Sequence, residues 1–342
     1  MPGADEQNGR VTIRSIAAAT GFSIATVSRA LQDSPTVRRQ TVQTVLTVAE
    51  RLGYRRNAAG AGLRTGRTEM ICLIMSIARP GDMMGDVGAL QLVTGANSRL
   101  AGAGYNLSLV PYTGDDDPVA TLAQVVRRGN FDGVIITMTR PQDQRVKFLQ
   151  GQNIPFVTFG RTELAVPHAS YDVDNADFVH RATRHLIGKG CRRPVLVTPP
   201  LDYLFSWHRR AGFLRALSEA GLPFDEKKSL VIESNELDFA AFATRASHTG
   251  GRPDGYVCGG EVSALAVSRE LEKAGQVVGH DVHLVTLETS DLPSLYTMPI
   301  SGFFQDLHRA GSVLADFLLR RIAGEPAADL QLVETVTFRE RG

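Results

Sequence analysis

Residues 23–29 gather the side chains that could read nucleic-acid bases: Ser23, Ile24, Ala25, Thr26, Ser28 and Arg29. An arginine offers donors in a fixed fork that matches guanine O6 and N7, while small apolar groups can meet a thymine methyl. Ile24 and Ala25 allow only the second kind of contact, so Arg29, the one outward basic residue of the stretch, carries any bidentate bond. An element presenting these residues must bury its other face, and Val27, Ala30 and Leu31 supply that face at helical spacing. Upstream, Ile13, Ile16, Ala17 and Thr20 fall at i, i+3, i+4 and i+7 and predict a first helix. Gly21 ends it, because glycine enters the left-handed cap conformation cheaply, and Ser23 caps the next. A third helix, from about residue 38 to 52, turns Val42, Val45, Leu46 and Ala49 inward and stops at Gly53-Tyr54. Helix, tight turn and a second helix with a polar, Arg-bearing outer face make a helix-turn-helix, whose second helix suits the major groove.

Charge divides the chain in the same place. Through Arg67 there are ten Arg and four carboxylates, a net of +6; residues 68–342 hold 27 basic and 32 acidic side chains, a net of −5. A basic head fits a polyanion, because each neutralised phosphate releases condensed counterions. The remaining 275 or so residues are enough for two α/β lobes. β-rich runs at 70–75, 106–110, 133–137, 156–159, 195–198, 255–258 and 282–287 alternate with helix-period segments, which predicts parallel sheets covered on both faces. The glycines at 101–104 and 129–133 fall where helices end, so they read as turn residues and not as a dinucleotide-binding loop.

Cys72, Cys191 and Cys258 stand alone in or beside apolar stretches, and they read as reduced, buried thiols. The eight histidines show no metal-ligand spacing, so no metal and no cofactor are expected. Residues 1–10 are polar, read as a disordered tail, and lack the apolar core of a signal peptide. No run of eighteen apolar residues indicates a membrane span, and a cytoplasmic location follows. There is no nucleophile elbow and no P-loop, which argues against an enzyme. The alternative kept open is a sugar-modifying or hydride-transfer α/β enzyme fused to a DNA-binding head.

The head resembles that of the lactose-repressor (LacI) family of bacterial transcription regulators. The resemblance is carried by Val11-Thr12, Ile16-Ala17, Gly21 with Ser23, Thr26-Val27-Ser28-Arg29 with Leu31, and Leu52-Gly53-Tyr54. It implies DNA contacts from Thr12, Ser23, Ile24, Ala25, Thr26, Ser28, Arg29, Arg38, Tyr54 and Asn57. It also implies a hinge over residues 56–67 whose Leu63 wedges into the minor groove. Gly60 and Gly62 depart from the family's hinge, because each glycine costs about 1 kcal/mol of helix stability relative to alanine. The implied layout is a helix-turn-helix domain at 11–55, the hinge, and a periplasmic-binding-protein-like domain at 68–342. Its first lobe would take about 68–170 and 306–329, its second 171–305 and 330–342. The family acts as homodimers on pseudo-palindromic operators, and two-fold protein symmetry demands matching half-sites.

A small-molecule effector would bind between the lobes, at the carboxyl ends of the strands. Arg209, three residues before Gly212 in WHRRAGF, matches the family's effector-binding arginine. Glu288 stands where relatives have a strand-end aspartate, and Gly260-Glu261 replace the usual Asn-Asp, which puts ligand contact by Glu261 in question. Ser76, Arg140 and Arg161 follow predicted strands, and Tyr171 and Asp174 follow the first crossover, where the family supplies an aromatic face and a polar anchor. Arginine mixed with carboxylates and an aromatic face fits an unphosphorylated sugar. The runs at 138–141, 156–162 and 287–291 are similar to those of α-glucoside-responsive members. The whole resembles a ligand-responsive repressor.

Overall fold

The computed structural model describes residues 11–32, 34–54, 67–76, 88–112, 117–232 and 251–341. The chain divides into two units, residues 1–68 and residues 69–342.

In the first unit α1 (Ile13–Thr20), α2 (Ile24–Ala30) and α3 (Arg39–Arg51) enclose Ile16, Val27, Ala30, Val42, Val45 and Ala49. Thr12 caps α1 reciprocally: its backbone N–H donates to Ser15 Oγ at 3.2 Å, and the Ser15 N–H donates to Thr12 Oγ1 at 3.4 Å. Gly21 adopts φ +73° and ends α1, and Ser23 Oγ accepts from the Thr26 N–H at 3.1 Å to start α2. Leu46, expected in this core, is 49% exposed. Val42, Val45 and Ala49 already fill the groove that two short helices offer to α3, so Leu46 is left at its margin.

The second unit carries two six-stranded sheets. The first runs β11-β5-β4-β3-β1-β2 and is parallel throughout. It comprises β1 (Met70–Ser76), β2 (Asn106–Tyr112), β3 (Gly133–Ile136), β4 (Phe156–Phe159), β5 (Ala169–Val173) and β11 (Gln331–Glu334). The helices α4 (Ala89–Ala101), α5 (Pro118–Arg128) and α6 (Gln144–Gly151) follow β1, β2 and β3, and α11 (Leu307–Ile322) returns from the other lobe to cover β3, β4 and β5. At the α4–α11 contact a Cβ added to Gly95 would lie 1.9 Å from the His308 carbonyl oxygen, so the approach of the two helices requires glycine there.

The second sheet runs β12-β10-β9-β8-β6-β7, with only β12 antiparallel to its neighbour. Its strands are β6 (Pro194–Thr198), β7 (Leu230–Ile232), β8 (Gly255–Cys258), β9 (His283–Glu288), β10 (Ile300–Phe304) and β12 (Thr337–Arg339). Around them lie α7 (Asn175–Gly188), α8 (Leu204–Glu219), the single turn α9 (Glu226–Ser229) and α10 (Glu261–Lys273). The central strands β6, β8 and β9, with Val195, Val197, Val257 and Val285 buried, are covered on both faces of a parallel layer, which is why they read as continuous apolar runs.

The chain crosses between lobes after β5, after β10 and after β11. The lobe boundaries therefore fall later than the family resemblance implies: β5 and β11 both belong to the first sheet, and only β12 returns to the second. Residues 333–338 are split between the two sheets, because Glu334 still pairs with Val173 while Thr337 pairs with Phe304.

Candidate functional site

On the head, Ser23, Ile24, Ala25 and Arg29 are exposed and Thr26 and Ser28 half-buried, so α2 turns to solvent the face whose residue types suit base edges. The Thr26 hydroxyl lies 2.8 Å from Ser23 Oγ, an arrangement that stiffens the first turn of that helix. Thr12 and Tyr54 are half-buried, and Arg38 is exposed immediately before α3. Asn57, Leu63 and the hinge up to residue 66 lie outside the described residues.

On the second unit, the carboxyl ends of both sheets face a cavity of about 390 Å³. Its floor is made by residues that directly follow strands: Thr137 and Met138 after β3, Gly160 after β4, Pro199 after β6, Gly259 and Gly260 after β8, Thr289 after β9 and Gln305 after β10. This is the position where open α/β sheets hold ligands. Phe159 and Phe205 add aromatic surface, and Arg209, Asp172 and Glu261 are its charged groups.

Arg209 is 5% exposed. Its Nε donates to Asn175 Oδ1 at 2.9 Å and its Nη1 to the Gly259 carbonyl at 3.2 Å. Phe205 and Phe178 lie 5.0 and 5.7 Å from the guanidinium and fix its plane. The glycine three residues on explains how α8 brings it there: a Cβ at Gly212 would lie 2.1 Å from the Ala176 carbonyl oxygen, so α8 can lie against the start of α7 only without a side chain.

The two carboxylates of the cavity differ. Glu261 Oε1 accepts from the Thr289 and Ser290 backbone N–H groups, both at 2.8 Å, and from Ser290 Oγ at 3.0 Å; Oε2 accepts from Thr289 Oγ1 at 2.9 Å. A carboxylate has about four acceptor sites, so Glu261 is saturated and clamps α10 to the β9 loop. Asp172 accepts from the Val173 N–H at 2.8 Å, from Arg161 Nε at 2.8 Å and from the Arg161 N–H at 3.3 Å, three bonds that leave capacity for one more.

The chain resembles known proteins along nearly its whole length. A model of the bacterial regulatory proteins of the lacI family matches residues 12–57, and one of the periplasmic binding protein-like domain matches residues 183–342. The HTH-type transcriptional regulator AglR of Rhizobium meliloti (strain 1021) is 31% identical over 343 residues, covering 97% of this chain and 94% of that protein. The chain belongs to the LacI family of DNA-binding transcriptional regulators. The HTH-type transcriptional regulator CelR of Thermobifida fusca is 28% identical over 346 residues, 98% of this chain and all of that one. Among solved structures, a CelR–cellobiose complex aligns with a TM-score of 0.71 at 25% identity, covering 97% of this chain and 99% of the other. The lac repressor dimer bound to operator and the anti-inducer ONPF shares the fold at a TM-score of 0.82 and 19% identity, over 97% and 98% of the two chains.

Of the effector residues expected from the LacI-family resemblance, Arg209 and Glu261 line the cavity. Tyr171 does not: its ring is buried against Phe159 in the first lobe, and its hydroxyl donates to Glu334 Oε2 at 2.8 Å. Asp174 caps α7, accepting from the Asp177 N–H at 2.9 Å, and its neighbour Asn175 lines the cavity instead. Glu288 is wholly buried on the other side of β9, paired with Arg341 and, at 3.5 Å, with Arg339, while Leu287 and Thr289 face the cavity. Arg140 pairs with Asp202 at 2.9 Å, and Arg161 acts through Asp172, so neither belongs to the described lining. Ser76 ends β1, its side chain lying outside the described residues, and the preceding Met75 lines the cavity. Asp172, Asn175, Phe205 and Gln305 line the cavity without having been singled out from the sequence. The strand-end position of Asp172, one residue from Tyr171, is the signal that could have found it.

The three cysteines are free and buried, and burial raises the Cys72 thiol to about 11 and that of Cys191 to about 12. Among the described residues no group of His, Cys, Asp and Glu could hold a metal ion, and no helix is long and apolar enough to cross a membrane.

Proposed function

We propose that this LacI-family regulator is a cytoplasmic, dimeric repressor whose hold on a pseudo-palindromic operator is changed by an unphosphorylated sugar bound between its lobes, and that it catalyses no reaction. The observation that carries this reading is the lining of the interlobe cavity, where Arg209, a held donor, and Asp172, an acceptor with capacity for one more bond, share a pocket with the faces of Phe159 and Phe205. Sugars present hydroxyls that both donate and accept, and C–H faces that pack on aromatic rings. One arginine against two carboxylates gives the lining a negative balance, which disfavours a phosphate. The described lining holds no His, Cys or Lys, and its one carboxylate beside a lining hydroxyl, Glu261 with Thr289 Oγ1 at 2.9 Å, already accepts four bonds and so is not poised as a base. The cellobiose complex of CelR supports the same ligand class for a relative of similar architecture.

A thermal-shift screen with mono- and disaccharides and their phosphates tests the reading, followed by operator titration with each stabilising compound. A neutral sugar that stabilises the protein, changes operator affinity and is recovered intact is the expected result. Stabilisation only by a phosphorylated or purine ligand overturns the sugar assignment, and chemical conversion of the sugar overturns the assignment as a regulator without catalysis.

A further inference from the structure

Two loops meet across the crevice. After β3 the chain turns through Met138, held at φ +56°, where a non-glycine side chain is strained. The buried Arg145 keeps this turn in place, donating through Nη2 to the Met138 carbonyl at 2.9 Å and pairing with Asp143 at 2.7 Å. The next residue, Thr139, aims its carbonyl at the second lobe and accepts from the backbone N–H of Leu204 at 3.0 Å. Arg140 then reaches Asp202 at 2.9 Å, with its guanidinium 5.9 Å from the Tyr203 ring. Tyr203 stacks on Phe205 at 5.6 Å and 5°, and Phe205 lines the cavity.

Leu204 is the first residue of α8, so its N–H has no partner within the helix and must find one elsewhere. It finds one on the opposite lobe. We propose that the loop from β6 to α8 is a gate of the effector crevice, closed by the Leu204 N–H on the Thr139 carbonyl and by Arg140 on Asp202. The inference rests on reading the crevice as the effector site. Ligand enters and leaves when these two links break, so the gate governs residence time in the cavity. The ion pair is half-exposed at both ends and contributes little alone, which makes the interlobe backbone bond the stronger link.

That bond can be removed at one atom. Proline is favoured at the first position of a helix and has no N–H, and Tyr203, at φ −85° and ψ 136°, already holds the conformation that a residue before proline adopts. Leu204→Pro therefore deletes the link, while Leu204→Ala keeps the N–H and matches most of the lost side chain. Trp207 is the single tryptophan, half-exposed, with Nε1 donating to the Leu201 carbonyl in the gate loop, and it reports the motion in ligand-free protein. Acrylamide quenching of the full-length protein should be greater for Leu204→Pro than for Leu204→Ala, the open fraction rising about fivefold for one lost hydrogen bond. Asp202→Arg should also raise quenching, and the exchange Arg140→Glu with Asp202→Arg should bring it back towards wild type, which decides the matter if the proline variant does not fold. Equal quenching of the proline and alanine variants overturns the gate, as does Asp202→Arg indistinguishable from wild type where the proline variant is lost. If no sugar binds in the thermal-shift screen, the ligand assignment fails while the quenching contrast stands.

Discussion

The head and the sensor place their functional side chains in opposite ways. Among its described residues the head buries six apolar side chains and turns Ser23, Ile24, Ala25 and Arg29 outward at one helix, so its candidate contact surface is contiguous in the chain. The sensor buries Arg209 and Asp172 and assembles its site from the ends of strands and helices far apart in sequence. A functional residue in the head is thus separable from stability, whereas in the sensor a buried charge is either a ligand contact or a structural pin, and burial does not distinguish them. What distinguishes them is whether their hydrogen-bonding capacity is already used.

The largest expected effect tests that rule. Arg341→Ala should cost about 3 kcal/mol of stability, because Glu288 is wholly buried and losing its closest cation leaves an inadequately paired carboxylate. Chemical denaturation measures this, and effector affinity in buffer should stay within about twofold, a change of under 1 kcal/mol. Arg209→Ala should instead weaken effector binding by about 10- to 100-fold, the worth of a charged hydrogen bond. Operator affinity without effector should remain near wild type in a gel-shift titration.

Arg29→Ala should cost about 1–3 kcal/mol on operator if it contacts a base, with stability unchanged because the side chain is exposed. Equal weakening on random DNA would make it a phosphate contact. Asp172→Asn should lower sugar affinity by about tenfold with a small change in melting temperature, while Glu261→Gln should do the reverse, since its four acceptor bonds are internal. The smallest effect concerns pH. His168 is lowered by burial, and His208 by burial and by the neighbouring Arg161, both from an ordinary 6.5. The unfolded chain therefore takes up protons first as pH falls through 6.5, so stability is full above that value and declines below it. Melting temperatures at pH 7.5 and 5.5 measure the difference; removing His168 and His208 should reduce it, and removing His185, which burial also lowers, should reduce it further.

The sequence made the alternation of strands and helices legible, along with the helix-turn-helix, because each rests on periodicity; Arg209, placed by the family resemblance, lies in the cavity lining. Two of the expected effector residues that lie off the cavity are one strand position from a lining residue: Tyr171 beside Asp172, and Glu288 beside Leu287 and Thr289. Within a strand successive side chains point to opposite faces, so an error of one residue at a strand end exchanges the cavity for the core. Nothing local fixes that parity. For Glu288 it is set by Arg341, more than fifty residues away. The strands β5 and β10 were illegible for a related reason, since Asp172 and Gly302 interrupt their apolar pattern and only their sheet neighbours give them strand geometry.

The three crossings between lobes also impose an order in time. The first sheet needs β11 for its edge beside β5, and Gly95 on α4 awaits the backbone of α11, yet both arrive only after every strand of the second sheet but β12 has been synthesised. A nascent chain halted near residue 300 would hold a β5 with one side unpaired and a helix face without its partner, a template for mispairing with other chains. Neither lobe is a separable piece of sequence, and the pairing of segments so distant makes their folding slow and interdependent.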